Sequence, residues 1–337
     1  MAEEDWFLVP NMKDIKKILI IRLGAIGDAV FTTIIPYAIK LKYPDCEVHY
    51  VLQKEVVGLM GNNPYIDKIF TWDRQAGKKF GYIYKMSKIF AEEKYDVIFN
   101  LNNTLKTFLL SFLSFPRKIV PKKQYGKSWV EDFFITAKTV FSDIEIPDRL
   151  YLGINPDSEN KINGILDGYK RPFFVFTPGG ATSRNRAGRM WSLDFWNNLS
   201  DMVLKNFGGT IFVCGSSSEK EIHTTLKKDG VVVLSGDLSL EESGAILSKA
   251  DLVVSGDTGP LHIASAYNVK TLALLGSTSP DKIKPYGKNG YWISSDFECK
   301  YCWKKKCKYM GEKGGITPCM SELKPMQVFE KIENILK

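Results

Sequence analysis

Apolar segments typical of buried strands alternate with helix-like segments over most of this chain of 337 residues. The first segment, 17–22 (KILIIR), is a nearly continuous apolar run that leads into a glycine loop and then a helix. Such runs are typical of parallel strands covered on both faces, and strand–helix alternation predicts a doubly wound parallel sheet. The alternation stops over 147–171 and restarts at 173–177 (FFVFT). We therefore expect two Rossmann-like α/β domains with parallel sheets.

The predicted domains divide the chain near its middle. We expect one domain over residues 1–160 and a second over 161–337, because 337 residues suit two domains of about 150 residues each. Residues 147–171, with their prolines and glycines, are expected to form an irregular connection. The second domain includes a cysteine-rich segment at 299–319 and a terminal helix at 325–337.

The loop after the first strand, RLGAIGD, ends at Asp28. Its glycine spacing is G-x-x-G, whereas a dinucleotide fingerprint is G-x-G-x-x-G with an acidic residue after the second strand. The second strand ends in YVLQ at 50–53, without that acid, and the chain contains no G-x-x-x-x-G-K-[ST] sequence. The pattern argues against nicotinamide-dependent enzymes and P-loop nucleotidases.

Asp28 lies in the first turn of the helix that follows this loop. One interpretation is helix capping, because an aspartate there can accept from free backbone N–H groups. The other is a general base, because a helix N-terminus favours an ionised carboxylate. Both interpretations stay open on the residues alone.

The loop after 173–177 reads TPGGATSRNRAGRMW and mixes glycines, hydroxyls and three arginines, of which the last is Arg189. Small residues allow phosphate to approach the backbone, and a guanidinium can hold two oxygens at once. An exposed basic loop is the alternative.

The segment 255–262 (SGDTGPLH) follows another predicted strand. Asp257 or Thr258 can cap the next helix, and Pro260 suits a first helical position. The free N–H groups of such a turn, with the helix dipole behind them, favour a diphosphate. His262 lies near the same helix end, where either a structural or a ligand-binding role fits it.

Several segments together resemble glycosyltransferase family 9, the ADP-heptose:lipopolysaccharide heptosyltransferases of Gram-negative bacteria. They include KILIIRLGAIGDAVFTT, FTPGGATSRNRAGRMWSLDFW, VCGSSSEKE, the long segment LSGDLSLEESGAILSKADLVVSGDTGPLHIASAYNVKTLALLG, and PMQVFEKI near the C-terminus. The resemblance runs from about residue 17 to residue 335, in the family's order. It implies a GT-B fold with the two sheets facing across a cleft, inversion at the anomeric carbon and no catalytic metal.

The resemblance also implies roles for individual residues. Asp28 stands at the position of the family's proposed catalytic base. Arg189 stands where members commonly have a lysine that contacts the phosphates and ribose, and Leu238 where the backbone meets adenine. The remaining donor-binding positions implied by the resemblance are the phosphate-contacting hydroxyls Thr182 and Ser183, the ribose carboxylate Glu219, and the diphosphate-and-sugar segment Asp257, Thr258, Gly259 and His262.

The substrates implied are ADP-heptose, bound by the C-terminal domain, and a phosphorylated glycolipid acceptor (lipid A-core), bound by the N-terminal domain. Another nucleotide sugar, a protein or a different glycan remain alternatives. The chain has no apolar run of the roughly 20 residues that a membrane span needs, and its acidic start lacks a secretion signal. We expect a cytoplasmic location, with peripheral contact at the inner face of the inner membrane as a further option.

Four cysteines, Cys299, Cys302, Cys307 and Cys319, crowd near the C-terminus. One C-x-x-C pair and two further thiols can supply a tetrahedral structural site for zinc or iron. Lys300 and the lysines at 304–306 are expected to lower the thiol pKa values. A reduced loop with incidental cysteines is the alternative.

The formal net charge is +8, with a local excess in RKIVPKKQYGK at 117–127. This run predicts either a solvated loop or a patch for a phosphorylated acceptor or an anionic membrane. A nucleic-acid-binding protein with a metal knuckle is the rival class, but it needs a larger basic surface with interleaved aromatics. We expect no nucleic-acid partner.

Overall fold

The computed structural model of the chain describes residues 14–179, 188–304, 306–310 and 315–337. Its contacts divide the chain into two compact units, Met1–Gly153 and Ile154–Lys337. The boundary expected from the sequence, between residues 160 and 161, falls inside a helix of the second unit.

The first unit alternates strands and helices from its first described strand onward. In chain order its elements are β1 (Lys17–Ile21), α1 (Ile26–Phe31), α2 (Ile34–Lys42), β2 (Glu47–Gln53), α3 (Lys54–Met60), β3 (Lys68–Trp72), α4 (Phe80–Glu93), β4 (Val97–Asn100), α5 (Leu105–Phe112), β5 (Lys118–Pro121) and α6 (Trp129–Lys138).

The sheet of the first unit has the Rossmann strand order. Its described strands run β3-β2-β1-β4-β5, and every pairing is parallel. Side chains of β1, β2 and β4 pack beneath α4 and α5 in one core, and burying each large apolar side chain contributes about 1.5–3 kcal/mol. This core includes Leu19, Ile21, Val51, Trp72, Phe90, Ile98 and Leu110.

The second unit repeats the alternation with a longer sheet. Its elements are α7 (Pro156–Leu166), β6 (Phe173–Thr177), α8 (Leu193–Phe207), β7 (Thr210–Val213), α9 (Lys220–Thr224), β8 (Val231–Val233), α10 (Leu240–Ser248), β9 (Leu252–Gly256), α11 (Gly259–Ala266), β10 (Thr271–Leu274), α12 (Pro280–Ile283), β11 (Gly290–Ile293), α13 (Pro318–Ser321) and α14 (Pro325–Leu336).

The described strands of the second sheet run β11-β10-β9-β6-β7-β8, again all parallel. Read from β6, this is the Rossmann order with its reversal between β6 and β9. The terminal helix α14 packs on α8, and Trp191 Nε1 donates to Leu323 O at 2.7 Å. Two doubly wound parallel sheets confirm the predicted fold class.

One local prediction was wrong in part, and one strand was not predicted. The expected connection at 147–171 does contain the boundary between the two units, but it is not irregular throughout. It contains α7, whose N-cap Asn155 accepts from the backbone N–H groups of Asp157 and Ser158. This capping offsets the poor helix propensity of the segment, and α7 packs on α10. The basic run at 117–127 includes the strand β5, paired with β4, so it is not wholly a loop.

Other predicted elements differ in extent. The helix expected after the first glycine loop is two helices, α1 and α2. In the part of the chain that the structure describes, no helix is long and apolar enough to cross a membrane.

Candidate active site

The sequence-predicted residues concentrate where the strand order of each sheet reverses. In the first unit Ile21 pairs with Asn100, so the loops after β1 and β4 leave the sheet side by side. In the second unit Thr177 pairs with Ser255, which brings the loops after β6 and β9 together. Ligands of open α/β sheets bind at this reversal point.

Asp28 forms an ion pair with Arg22 in the first unit. The Arg22 Nη2 atom lies 2.7 Å from Asp28 Oδ2, and Nη1 donates to Leu101 O at 2.6 Å. The Arg22 side chain is 11% exposed and lies over the Phe133 ring, whereas the Asp28 side chain is 32% exposed. The buried guanidinium therefore fixes one carboxylate oxygen while the aspartate stays accessible to solvent.

The N-terminus of α1 gives no support to the capping interpretation of Asp28. Its N-cap is Ala25, which has no side chain that could cap the helix. Among the described residues, no backbone N–H donates to the Asp28 carboxylate, whose contact is with Arg22.

Close packing explains why a glycine, Gly24, occupies the first glycine position of the loop. A Cβ atom at Gly24 would lie 2.9 Å from Asp28 Oδ2 and 3.0 Å from Arg22 Nε, so a side chain there would displace the ion pair. Two polar side chains from neighbouring strand ends hold the same loop. Leu23 N donates to Asn102 Oδ1 at 2.6 Å, and Gln53 Nε2 donates to Leu23 O at 3.0 Å.

Asp257 is the centre of the corresponding site in the second unit. Its carboxylate is buried, with Oδ2 at 2.7 Å from Arg189 Nη2 and accepting from Thr278 Oγ1 at 2.8 Å. The His262 Nε2 atom lies 3.9 Å from Oδ1. Burial alone raises the pKa of this carboxyl, but His262 and the charge of Arg189 outweigh it and leave the pKa below its ordinary value.

The N-terminus of α11 offers donors to an anion. Its N-cap, Thr258, makes no capping hydrogen bond, and its hydroxyl lies 3.1 Å from Ser255 Oγ. The N–H of Gly259 belongs to the first turn, where helix geometry provides no intrahelical acceptor, and it lies at the positive end of the helix dipole. Among the described residues, the buried Arg189 Nε and Thr177 Oγ1 also have no hydrogen-bond partner. This donor-rich environment fits a diphosphate.

Two other predicted site residues, Glu219 and Leu238, lie in turns of the second unit. Glu219 Oε2 accepts from the backbone N–H and hydroxyl of Ser216, at 2.8 and 2.6 Å, so it caps its own turn. Its carboxylate also lies against Gly179, where a Cβ atom would come within 2.5 Å of Oε1. Leu238 is half-buried in the turn after β8. Thr182 and Ser183 lie outside the described residues.

The loop after β10 was not predicted as part of the site. It carries Thr278, and Ser277 N donates to Gly188 O at 3.2 Å, one residue before Arg189. The cysteine-rich segment in turn holds this loop. Tyr301 N donates to Gly276 O at 2.9 Å, and Trp303 N donates to Ser277 O at 2.8 Å. The segment is therefore a neighbour of the Asp257 cluster, despite about 40 residues of sequence between them.

The cysteines do not form a metal site in this geometry. Among the described residues, no group of three His, Cys, Asp or Glu side chains is arranged to hold a metal ion. The expected effect of the lysines on Cys299 and Cys319 was wrong. Burial raises the pKa of both thiols, the neighbouring cysteines raise it further, and Lys300 is paired with Asp296.

Two Rossmann-like units with parallel sheets are the architecture of glycosyltransferases of GT-B type. The sequence profile of glycosyltransferase family 9 (heptosyltransferase) matches residues 114–312, more than half of the chain. The chain therefore belongs to this family and is a glycosyltransferase.

Individual relatives agree with the family assignment. The lipopolysaccharide core heptosyltransferase OpsX of Haemophilus influenzae is 22% identical over 293 residues, which cover 80% of this chain and 82% of OpsX. The structure of Escherichia coli ADP-heptose LPS heptosyltransferase II superposes with a TM-score of 0.78 at 17% identity, over 95% and 98% of the two chains. A family 9 glycosyltransferase from Veillonella parvula gives 0.79 at 18%, over 95% and 97%.

The Thr278 hydroxyl is expected to keep the Asp257 carboxylate, and through it Arg189, in place. The Thr278→Val variant keeps the side-chain shape but removes the donor, and hydrogen bonds to charged groups contribute about 1.5–3 kcal/mol. We expect reduced stability and several-fold weaker ADP binding, measured by thermal unfolding and calorimetric titration.

Thr271→Val is the matched control, because Thr271 is equally buried and donates to Val269 O at 2.8 Å. This variant should lose stability without losing ADP affinity. Unchanged ADP affinity in the Thr278 variant would show that the Thr278–Asp257 hydrogen bond does not act on ADP binding.

Proposed function

We propose that this chain transfers heptose, with inversion, from ADP-heptose to a sugar of a lipopolysaccharide core, with Asp28 as the general base. The proposal rests on one observation, the uncapped N-terminus of α11 beside the Arg189–Asp257 pair. A diphosphate bound there would accept hydrogen bonds from both the backbone and the guanidinium. The names of the relatives OpsX and heptosyltransferase II support the choice of sugar and acceptor.

On the donor side, the proposed diphosphate lies against the amide of Gly259 and the guanidinium of Arg189. Asp257 holds Nη2 of that guanidinium, so the group is oriented before the ligand arrives. As the bond to the anomeric carbon breaks, the leaving ADP gains negative charge. The helix N-terminus and Arg189 stabilise that charge without a metal ion, because preorganised donors need no rearrangement during the reaction.

On the acceptor side, Asp28 takes the proton from the attacking hydroxyl. Arg22 holds Oδ2 of the carboxylate, which leaves Oδ1 for the acceptor. The acceptor oxygen then bonds to the anomeric carbon on the face opposite the diphosphate, which inverts the configuration. The partial exposure of Asp28, 32% of its side chain, allows a bulky sugar to reach it.

The general-base role predicts the effect of Asp28→Asn. The amide keeps the size of the side chain but cannot accept the proton, so turnover should fall by about 10²–10⁴ while ADP affinity changes little. Product formation measured by mass spectrometry, with ADP-heptose and truncated lipopolysaccharide, provides the test.

Asp73→Asn is the control, because Asp73 Oδ1 accepts from Gln75 and Ala76 N–H groups in an exposed turn of the same unit. That variant should keep full turnover. Full turnover in the Asp28 variant would exclude the general-base role.

The diphosphate role predicts weaker ADP binding in Arg189→Ala. Loss of charge-assisted contacts to phosphate corresponds to about 1.5–3 kcal/mol, or roughly 10- to 150-fold in affinity. His262→Ala should have a smaller effect. Arg189→Lys, which keeps a cation beside buried Asp257, should fold normally and still bind ADP more weakly than the native chain.

Arg171→Ala is the matched control for calorimetric titration. Arg171 forms a 2.7 Å ion pair with Asp251 in the same unit, but this pair is solvent-exposed at the start of β6. It should leave ADP affinity unchanged. Native affinity in both Arg189 variants would mean that the diphosphate binds elsewhere.

A structural metal on the four cysteines stays a prediction of the sequence. In the described geometry the thiols do not form a site, so a metal would have to draw them together. Native protein should then contain about one zinc or iron per chain, and Cys302→Ser should lower the melting temperature, because metal-binding energy is folding energy.

Elemental analysis of protein purified anaerobically without chelators is the measurement. Cys214→Ser is the control, because Cys214 is buried elsewhere in the same unit and should not change the metal content. Protein that contains neither metal would contradict the prediction.

A further inference from the structure

Helix α5 and the turn that follows it expose large apolar side chains on the first unit. The exposed fractions are 75% for Leu105, 52% for Phe108, 53% for Phe112 and 78% for Phe115. We call these four residues the α5 face. The rings of Phe108 and Phe112 stack, with their centroids 6.1 Å apart. Contiguous exposed apolar patches on a folded domain mark surfaces that bind something else.

The spacing shows that this face is distinct from the core-facing side of the helix. Residues 105, 108 and 112 fall on one side of a helix with 3.6 residues per turn. The opposite side carries Thr107, Leu110 and Ser111, which are all buried. The buried side of α5 therefore packs against the core, and the exposed aromatic side chains do not contribute to that packing.

Positive charge surrounds the α5 face in sequence. Between Asp96 and Glu131 the chain has six cations and no acidic residue. These cations are Lys106, Arg117, Lys118, Lys122, Lys123 and Lys127. Arg117 is paired with Asp96 at 3.3 Å, and Lys122 lies 3.7 Å from the centroid of the Trp129 ring. Lys123 and Lys127 are exposed on the segment that follows β5.

We propose that the α5 face and its cations dock this chain on an anionic lipid surface. Exposed aromatic side chains insert at the boundary between headgroups and acyl chains, and lysines are attracted to anionic headgroups. A second copy of the chain or another protein fits less well, because charged residues are depleted in the cores of protein interfaces. This proposal rests on the proposed function and deepens it. The glycolipid acceptor of the proposed reaction would lie in such a lipid surface.

Vesicle sedimentation without any sugar substrate tests the docking. Native protein should bind vesicles of phosphatidylcholine and phosphatidylglycerol, bind phosphatidylcholine vesicles much more weakly, and dissociate from the anionic vesicles at high salt. The double variant Phe108→Ser/Phe112→Ser should bind anionic vesicles at least about tenfold more weakly, since each aromatic loses its apolar burial. Lys123→Gln/Lys127→Gln should bind more weakly and lose most of the salt dependence.

The control is Leu41→Ser/Met326→Ser, because these side chains are 61% and 52% exposed elsewhere on the chain. It should bind vesicles like the native protein, and all variants should keep native ADP affinity.

Failure of the native chain to bind anionic vesicles, or native binding by the Phe108/Phe112 variant, would overturn the proposal. A dimer in lipid-free solution that this variant dissociates, without vesicle binding, would assign the face to a second copy. Loss of transfer activity with intact vesicle binding would count against the proposed function alone.

Discussion

A buried carboxylate organises the second unit. Removing the Asp257 charge from water is costly, and the cost is offset only while its oxygens stay paired with Arg189, Thr278 and His262. These partners come from the segment before α8, the loop after β10 and helix α11. The pairing that offsets the cost of burying the Asp257 charge therefore also fixes the relative positions of three chain segments at the reversal point of the sheet. The guanidinium is left oriented, with its Nε without a partner among the described residues.

The first unit uses the same kind of pair at the same topological position, with the burial reversed. Arg22 is the more buried partner at 11% exposure, and Asp28 is accessible at 32%. In the second unit the carboxylate is buried at 8% and the guanidinium is the more accessible group at 19%. A buried cation that orients an accessible carboxylate suits proton acceptance, whereas a buried carboxylate that orients an accessible guanidinium suits anion binding. The two halves of the fold thus offer complementary chemistry from one structural pattern.

The parts of the site that could be predicted from the sequence are those that follow a strand directly. Asp28 and Asp257 stand just beyond apolar runs, and the carboxyl ends of parallel strands meet at one edge of a sheet. Thr278, Asn102 and the partnership of Arg22 could not be predicted, because each depends on which strands become neighbours. Helix α7 was missed for a different reason, since its stability comes from the Asn155 cap and from packing on α10, not from a strong hydrophobic period.

The cysteine-rich segment shows why distance along the chain is a poor guide to structural role. Tyr301 and Trp303 both adopt left-handed backbone conformations, with φ of 63° and 54°. Such conformations are costly for bulky side chains and persist only where the surroundings impose them. Here the two N–H groups donate to Gly276 and Ser277, which precede Thr278, the donor to Asp257. The conformation around Cys302 is therefore linked through these hydrogen bonds to the carboxylate that orients Arg189, and whatever orders this segment also acts on the Asp257–Arg189 pair.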